Sequence, residues 1–156
     1  MGKARLLGVL DEAGVSYELT EHERTERALL EAEALGVDPA DVAKTLVVST
    51  PQGYVRAVVP ASCRLDLHKL RKVIRASKQT RLATEEALER DYPEFELGAV
   101  PPLGGKHVDP VIVDTRTAER ESVLFEAGTH VDSVRMKTAD LLRITDARVA
   151  DICQDQ

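Results

Sequence analysis

The sequence contains few aromatic residues and few cysteines. Its 156 residues include three tyrosines, two phenylalanines, two cysteines and no tryptophan. So few aromatic rings predict an aliphatic core and argue against stacking platforms for single-stranded nucleic acid. Cys63 and Cys153 are too few for a disulfide framework and form no CxxC pair, which favours a reducing, cytoplasmic setting.

Long apolar runs and familiar catalytic motifs are also missing. No stretch approaches ~18 consecutive apolar residues, so no membrane contact is expected. The four histidines show no metal-ligand spacing, and neither a metal nor another cofactor is expected. G-x-S-x-G, G-x-G-x-x-G and Walker patterns are absent as well. The sequence therefore lacks an obvious side-chain nucleophile.

Positive charge is concentrated in one segment of an otherwise acidic chain. The net charge is −6, yet residues 64–81 contain seven basic residues and one acid. Within this segment, Arg71, Arg75 and Lys78 cluster on the predicted helix and its extension. They are either an ordinary solvated face or contacts for the phosphates of a nucleic acid.

Local patterns predict a mixture of helices and strands without regular alternation. Helices are predicted at 3–13, 25–36, 67–76, 85–92, 139–144 and 147–153. Strands are predicted at 15–20, 45–49, 54–60, near Leu82, and at 110–114, 122–128 and 132–137. The expected N-caps are Thr25, Asp38, Asp66, Thr84 and Thr138. We expect one mixed α/β domain over 1–156, with a mostly antiparallel, barrel-like sheet and surrounding helices.

Three features are candidates for chemistry. Lys44 lies where a short helix gives way to the apolar strand "VAKTLVVS", so it either reaches solvent or supplies a fixed charge to a pocket. The stretch "GAVPPLGG" (98–105) is either a surface turn or a rigid loop whose bare backbone approaches a small ligand. His130, in the turn "EAGTHVDS", is either solvated or part of a site.

Five motifs, taken in order, resemble the YbaK family. They are "DVAKTLVV", "VVPASCRLDLHKLRKVI", "GAVPPLGG", "VIVD" and "FEAGTHVDSVRMKTADLL", and together they span roughly residues 15–145. This family comprises bacterial editing domains that are also inserted in, or associated with, prolyl-tRNA synthetase. The resemblance implies a deacylase that hydrolyses the ester of a mischarged tRNA. The implied partners are the acceptor end of an aminoacyl-tRNA and, as a further candidate, a synthetase.

The resemblance also assigns roles at the site. Lys44 matches the family's essential lysine, Gly98 the glycine of its Gly-x-x-Pro loop, and Gly128 the small residue of a later glycine turn. These three residues are implied to be catalytic. Pro101 follows Gly98 as the pattern requires, and it joins Thr45, Thr129 and His130 as a candidate substrate-binding residue.

The sequence indicates the reaction more clearly than it indicates the amino acid that is removed. Thr45 stands where some alanine-specific relatives carry Asn. Small side chains of the Ala, Ser, Thr or Cys class are expected, because pockets in this family are small. The alternative function is a binding module that holds an aminoacyl group without turnover.

Overall fold

The computed structural model describes residues 2–24 and 35–155. Within these ranges the helices are α1 (Gly2–Ala13), α2 (Leu67–Ile74), α3 (Glu85–Asp91), α4 (Thr115–Ala118) and α5 (Thr138–Thr145), with a 3-10 turn at Pro39–Asp41. The strands are β1 (Tyr17–Glu21), β2 (Ala43–Thr50), β3 (Gly53–Pro60), β4 (Arg81–Leu82), β5 (Val111–Asp114), β6 (Ser122–Glu126), β7 (Asp132–Lys137) and β8 (Arg148–Ala150). None of the described helices is long and apolar enough to cross a bilayer.

The strands form two sheets. One has the order β1-β7-β6 and is antiparallel throughout. The other has the order β4-β2-β3-β5-β8, in which β5 pairs in parallel with both β3 and β8. A bridge between Val42 and Leu124 connects the sheets, which do not close into a barrel over the described ranges. The expected mixed α/β fold with a mostly antiparallel arrangement is confirmed.

The β2–β3 hairpin is the centre of the larger sheet. Its eight cross-strand pairs run from Ala43↔Pro60 to Thr50↔Gly53. At the turn, the Thr50 hydroxyl donates to the Gly53 carbonyl and accepts from the Gln52 N–H. Because side chains alternate along a strand, the hairpin presents different residues to the two sides of the sheet.

Two main apolar cores flank this sheet. On one side, Leu6 and Leu10 of α1 pack with residues such as Val58 and Phe125. On the other side, Leu70 of α2 packs with Val59 and its neighbours in a cluster that includes both free cysteines. The hairpin is therefore covered on both sides and supplies a rigid base.

Most of the predicted helix starts are confirmed. The side chains of Asp38, Asp66 and Thr84 each accept a hydrogen bond from a backbone N–H in the first turn. Thr138 is an exception, because it is the first residue of α5 and Lys137 occupies the cap position. The Thr138 hydroxyl is buried and finds no partner among the described residues, so it cannot act as the cap. The predicted helix 25–36, with its cap Thr25, falls almost entirely outside the described ranges.

The predicted C-terminal helix is wrong. Residues Arg148–Ala150 form β8, which pairs in parallel with β5. The N–H of Ile152 then donates to the buried Asp114 carboxylate, and Ile152 and Cys153 are buried in the α2-side core. Pairing with a strand distant in sequence decides the structure here, rather than local helical periodicity.

Candidate active site

The Gly/Pro loop packs into the protein instead of projecting from it. Val100 lies in a cluster with Val47, Tyr92 and Phe95, and Leu103 reaches the core beneath α1. Pro101 and Pro102 are also buried. A solvent-exposed turn would not bury this much apolar surface, so the loop has a fixed shape.

Gly98 is the exposed start of this loop. Its φ of 82° lies in the left-handed region that favours glycine. A Cβ at this position would lie 3.4 Å from His130 Cε1. Within the described residues, the N–H groups of Gly98 and Val100 donate to no protein acceptor. The loop therefore keeps two backbone donors without a described partner, one at exposed Gly98 and one at buried Val100.

His130 connects the β6–β7 turn to this loop and is not a solvated turn residue. It is only 1% exposed, and its Nδ1 lies 2.7 Å from Glu126 Oε2. Its Nε2 lies 2.6 Å from the carbonyl oxygen of Leu97. Because a carbonyl can only accept, Nε2–H donates to it. His130 thus fixes the backbone immediately before Gly98.

The other residues of this turn are held by packing and by a carboxylate. Gly128 has a φ of 93°, and a Cβ there would lie 2.8 Å from the Phe95 ring. Glycine at position 128 is therefore required for backbone shape and close packing. The Thr129 hydroxyl donates to Asp132, which also accepts from Lys3. Gly98, Gly128, Thr129 and His130 are brought together at one end of the three-stranded sheet.

Lys44 lies on β2, two residues after the bridge that connects the two sheets. Val42 and Leu124 form the inter-sheet bridge and share an apolar cluster, and Lys44 and Glu126 each follow two residues later on the same side of their strands. Burial lowers the pKa of the Lys44 ammonium below its ordinary value of 10.5. The nearby Cys63 and Cys153 oppose this shift, and the Arg64 charge adds to it. Among the described residues, Lys44 has no salt-bridge partner. It is a half-buried cation available to a ligand.

The side chain of Thr45 does not lie on the same side of β2 as that of Lys44. It pairs with Val58, whereas Lys44 pairs with Val59, so the two side chains leave β2 on opposite sides. The Thr45 hydroxyl is buried and has no partner in the described part of the chain. Thr45 can contribute to a site at Lys44 only through its backbone.

The three basic candidates lie on α2 and in the segment that follows it. The helix ends at Ile74, two residues earlier than predicted, and Arg75 takes the left-handed conformation that terminates it. Helical spacing therefore does not extend to Lys78, which lies in a following turn and borders a surface pocket of about 510 Å³ together with Arg81. Arg71, Arg75 and Lys78 form no salt bridge with residues of the described ranges.

A comparison with known families identifies the chain. The profile of the aminoacyl-tRNA editing domain matches residues 22–144, which include every candidate named above. The protein is a member of the aminoacyl-tRNA editing domain family. The resemblance read from the ordered motifs is therefore confirmed.

Individual relatives of this editing domain span nearly its whole length. The multifunctional Ser/Thr-tRNA deacylase ProXp-y of Escherichia coli K12 is 28% identical over 145 residues, which cover 90% of this chain and 86% of the relative. A crystal structure described as a candidate trans-editing enzyme for prolyl tRNA synthetase has a TM-score of 0.88 at 28% identity, covering 99% and 98% of the two chains. The hypothetical protein APE2540 has the same fold, with a TM-score of 0.86 at 22% identity and coverage of 96% and 99%.

Sequence reasoning about this editing domain missed two buried groups. Glu126 holds His130, and Arg56 holds the Gly/Pro loop from the strand beneath it. The available signal for Arg56 was an arginine in the otherwise apolar strand "YVRAVVP". Charged residues are rarely buried unless they are paired, so such an arginine marks a specific buried contact.

Proposed function

We propose that this protein is an aminoacyl-tRNA deacylase that acts in trans on mischarged tRNA. The observations that carry the proposal are the exposed, rigidly held Gly98 backbone and a half-buried lysine that has no salt-bridge partner among the described residues. The editing-domain family supplies the substrate class. The names of the relatives, a tRNA deacylase and a candidate trans-editing enzyme, support the reaction.

The proposed reaction uses water as the nucleophile. Water adds to the ester carbonyl carbon, and negative charge collects on the carbonyl oxygen. The N–H groups of Gly98 and Val100, together with the Lys44 ammonium, are the groups proposed to stabilise that oxygen. The ester C–O bond then breaks, so that the ribose oxygen leaves with a proton and the amino acid leaves as a carboxylate. One water proton is proposed to pass, through a ribose hydroxyl or the side chain of the substrate, to the leaving ribose oxygen, and the other is released to solvent when the product acid ionises.

The remaining site residues are proposed to shape the acyl pocket. Pro101 fixes the loop, and Gly128 with Thr129 forms the opposite wall through a turn that Asp132 orders. His130 occupies the boundary next to Gly98, and Thr45 contributes backbone only. Small amino acids of the Ala, Ser, Thr or Cys class are the proposed substrates. Editing is needed for such residues because synthetase pockets discriminate one methylene by only ~1–3 kcal/mol.

The tRNA body is proposed to contact the basic segment. Arg71, Arg75 and Lys78 have no acidic partner in the described ranges, so their charge is available to phosphates. The segment also begins beside the site, because Arg64 is close enough to affect the pKa of Lys44. A prolyl-tRNA synthetase is the proposed further partner, since the structural neighbour is described as trans-editing for that enzyme.

A panel of purified mischarged tRNAs tests the function. Wild-type protein should release at least one small amino acid from its tRNA at catalytic protein concentrations, while correctly charged tRNAs with large side chains remain intact. Binding of the charged tRNAs without release of any amino acid would favour the alternative, a non-catalytic aminoacyl-binding module.

A further inference from the structure

Arg56 is a fully buried cation directly beneath the Gly/Pro loop. It lies in the middle of β3 and is 1% exposed. Its Nε donates to Asp109 at 3.0 Å, and its Nη1 donates to the Pro101 carbonyl at 3.0 Å. Its Nη2 donates to the carbonyls of Gly104 at 2.7 Å and His107 at 3.3 Å. One guanidinium therefore contacts three separate backbone positions of the loop and its continuation.

Aromatic rings complete the surroundings of this guanidinium. Its central carbon lies 5.5 Å from the Tyr92 ring centroid and 6.0 Å from that of Phe95. The Tyr92 hydroxyl donates to Asp109 at 2.6 Å, so the counter-charge is held in place as well. Such contacts leave the guanidinium little freedom to move.

Stability alone does not explain a buried charge at this position. A buried ion pair often gives no more stability than apolar side chains of similar size. The distinctive property of arginine is a planar fork of donors with fixed directions. A fork that holds the carbonyls of Pro101 and Gly104 fixes the path of the chain between them.

We propose that Arg56 is a positioning residue of the deacylase, which sets the loop conformation and thereby aims the N–H groups of Gly98 and Val100. This inference rests on the proposed function. His130 fixes the loop before Gly98, and Arg56 fixes it from Pro101 onward. The two backbone donors lie between these fixed points. Arg56 itself touches no substrate.

Arg56→Lys is the informative substitution, because it keeps the charge and removes the fork. A single ammonium cannot hold Asp109 and three carbonyls in the same geometry. Turnover should fall by ~10²-fold, the scale of a displacement of about 1 Å at a catalytic group. KM should stay unchanged, because the tRNA contacts lie elsewhere. Exchange of the hydrogen-bonded amides of Ala99 and Lys106 should become faster.

Val55→Ala is the matched control. Val55 is the adjacent residue on β3, is buried on the opposite face and packs in the α2-side core. It should lower stability without lowering kcat or exposing the Ala99 and Lys106 amides. Equal kcat losses in Val55→Ala and Arg56→Lys would overturn the proposal, and so would wild-type kcat in Arg56→Lys.

A second variant keeps the proposal testable if Arg56→Lys folds poorly. The double substitution Arg56→Met with Asp109→Asn replaces the buried pair by uncharged groups of similar size. It should show the same loss of turnover, and wild-type turnover in this variant would overturn the proposal. If wild-type protein hydrolyses no aminoacyl-tRNA, the proposed function fails. The rate of amide exchange then decides whether Arg56 positions the loop. Faster exchange in Arg56→Lys than in Val55→Ala then supports positioning, and equal exchange overturns it.

Discussion

The two faces of the β2–β3 hairpin are built from different chemistry. On the face covered by α2, Val55, Ala57 and Val59 pack with aliphatic residues. On the other face, Arg56 lies among aromatic rings and carbonyl groups. Tyr54, Tyr92 and Phe95 lie around this arginine, and Phe125 packs with Val58 farther along the same side.

The two kinds of contact have different effects on the backbone. Apolar packing is non-directional, so it stabilises the sheet without fixing the position of one backbone atom. Hydrogen bonds have preferred directions, so the guanidinium can hold the Pro101 and Gly104 carbonyls at defined positions. Apolar packing stabilises both faces, and the loop face adds directional hydrogen bonds that fix the backbone.

Lys44 is the exception on the α2 face, and its removal should have the largest effect on turnover. Its side chain leaves β2 on the Val59 side, where the aliphatic surface ends. Lys44→Ala should lower the deacylation rate by ~10²-fold or more, the scale of losing one group that stabilises the oxyanion. Thermal unfolding should change little, because the charge has no described partner to lose. A wild-type rate in this variant would remove Lys44 from the mechanism.

Gly98→Val should have the next largest effect. Valine is strained at a φ of 82°, and its branched side chain would extend toward the His130 ring. Deacylation should fall by ~10-fold or more, because the loop backbone and the acyl pocket both shift. Pro102→Ala is the control and should be much milder. Comparable activity in Gly98→Val and wild type would return the loop to a structural role.

Neutralising Arg71, Arg75 and Lys78 together should act on binding alone. The slope of log affinity against log salt should fall by about one unit per lost phosphate contact, and KM for charged tRNA should rise. Hydrolysis of a minimal aminoacyl-nucleoside ester should stay unchanged. The control neutralises Arg116, Arg120 and Arg143, which already pair with carboxylates. Equal slopes in the two triple variants would contradict the phosphate contact.

Leu70→Ala should have the smallest effect on turnover and a large effect on stability. Leu70 is fully buried in the α2-side core. Its truncation should lower the free energy of unfolding by ~2–5 kcal/mol. At temperatures where the variant is folded, kcat should match that of wild type. A large loss of kcat per folded molecule would show that packing in the α2-side core controls the site as well as the stability.

Much of this fold could be predicted from local sequence. The valine-rich segment "YVRAVVP" and the caps at Asp66 and Thr84 indicate elements whose pattern and structure agree. The strand β8 could not be predicted, because its three residues depend on pairing with β5, more than 30 residues earlier in the chain.

The candidate site was only partly predictable for the same reason. The ordered motifs located Lys44, Gly98 and the glycine turn. The burial of His130 depends on the carbonyl of Leu97, and that of Arg56 on the carbonyl of Pro101. No local pattern encodes either contact, since the partners are 33 and 45 residues away.

The backbone N–H of Gly98 is the group at the centre of this account, and replacing it by an ester oxygen tests it directly. Glycolic acid at position 98 removes the donor and adds no side chain. The matched control is an ester at Ala99, whose N–H already donates to the Glu96 carbonyl and is therefore not available to a substrate. Turnover should fall by ~10²–10³-fold for the ester at position 98, the cost of losing an oxyanion donor, and little for the ester at position 99. Equal turnover in the two ester variants would contradict the account.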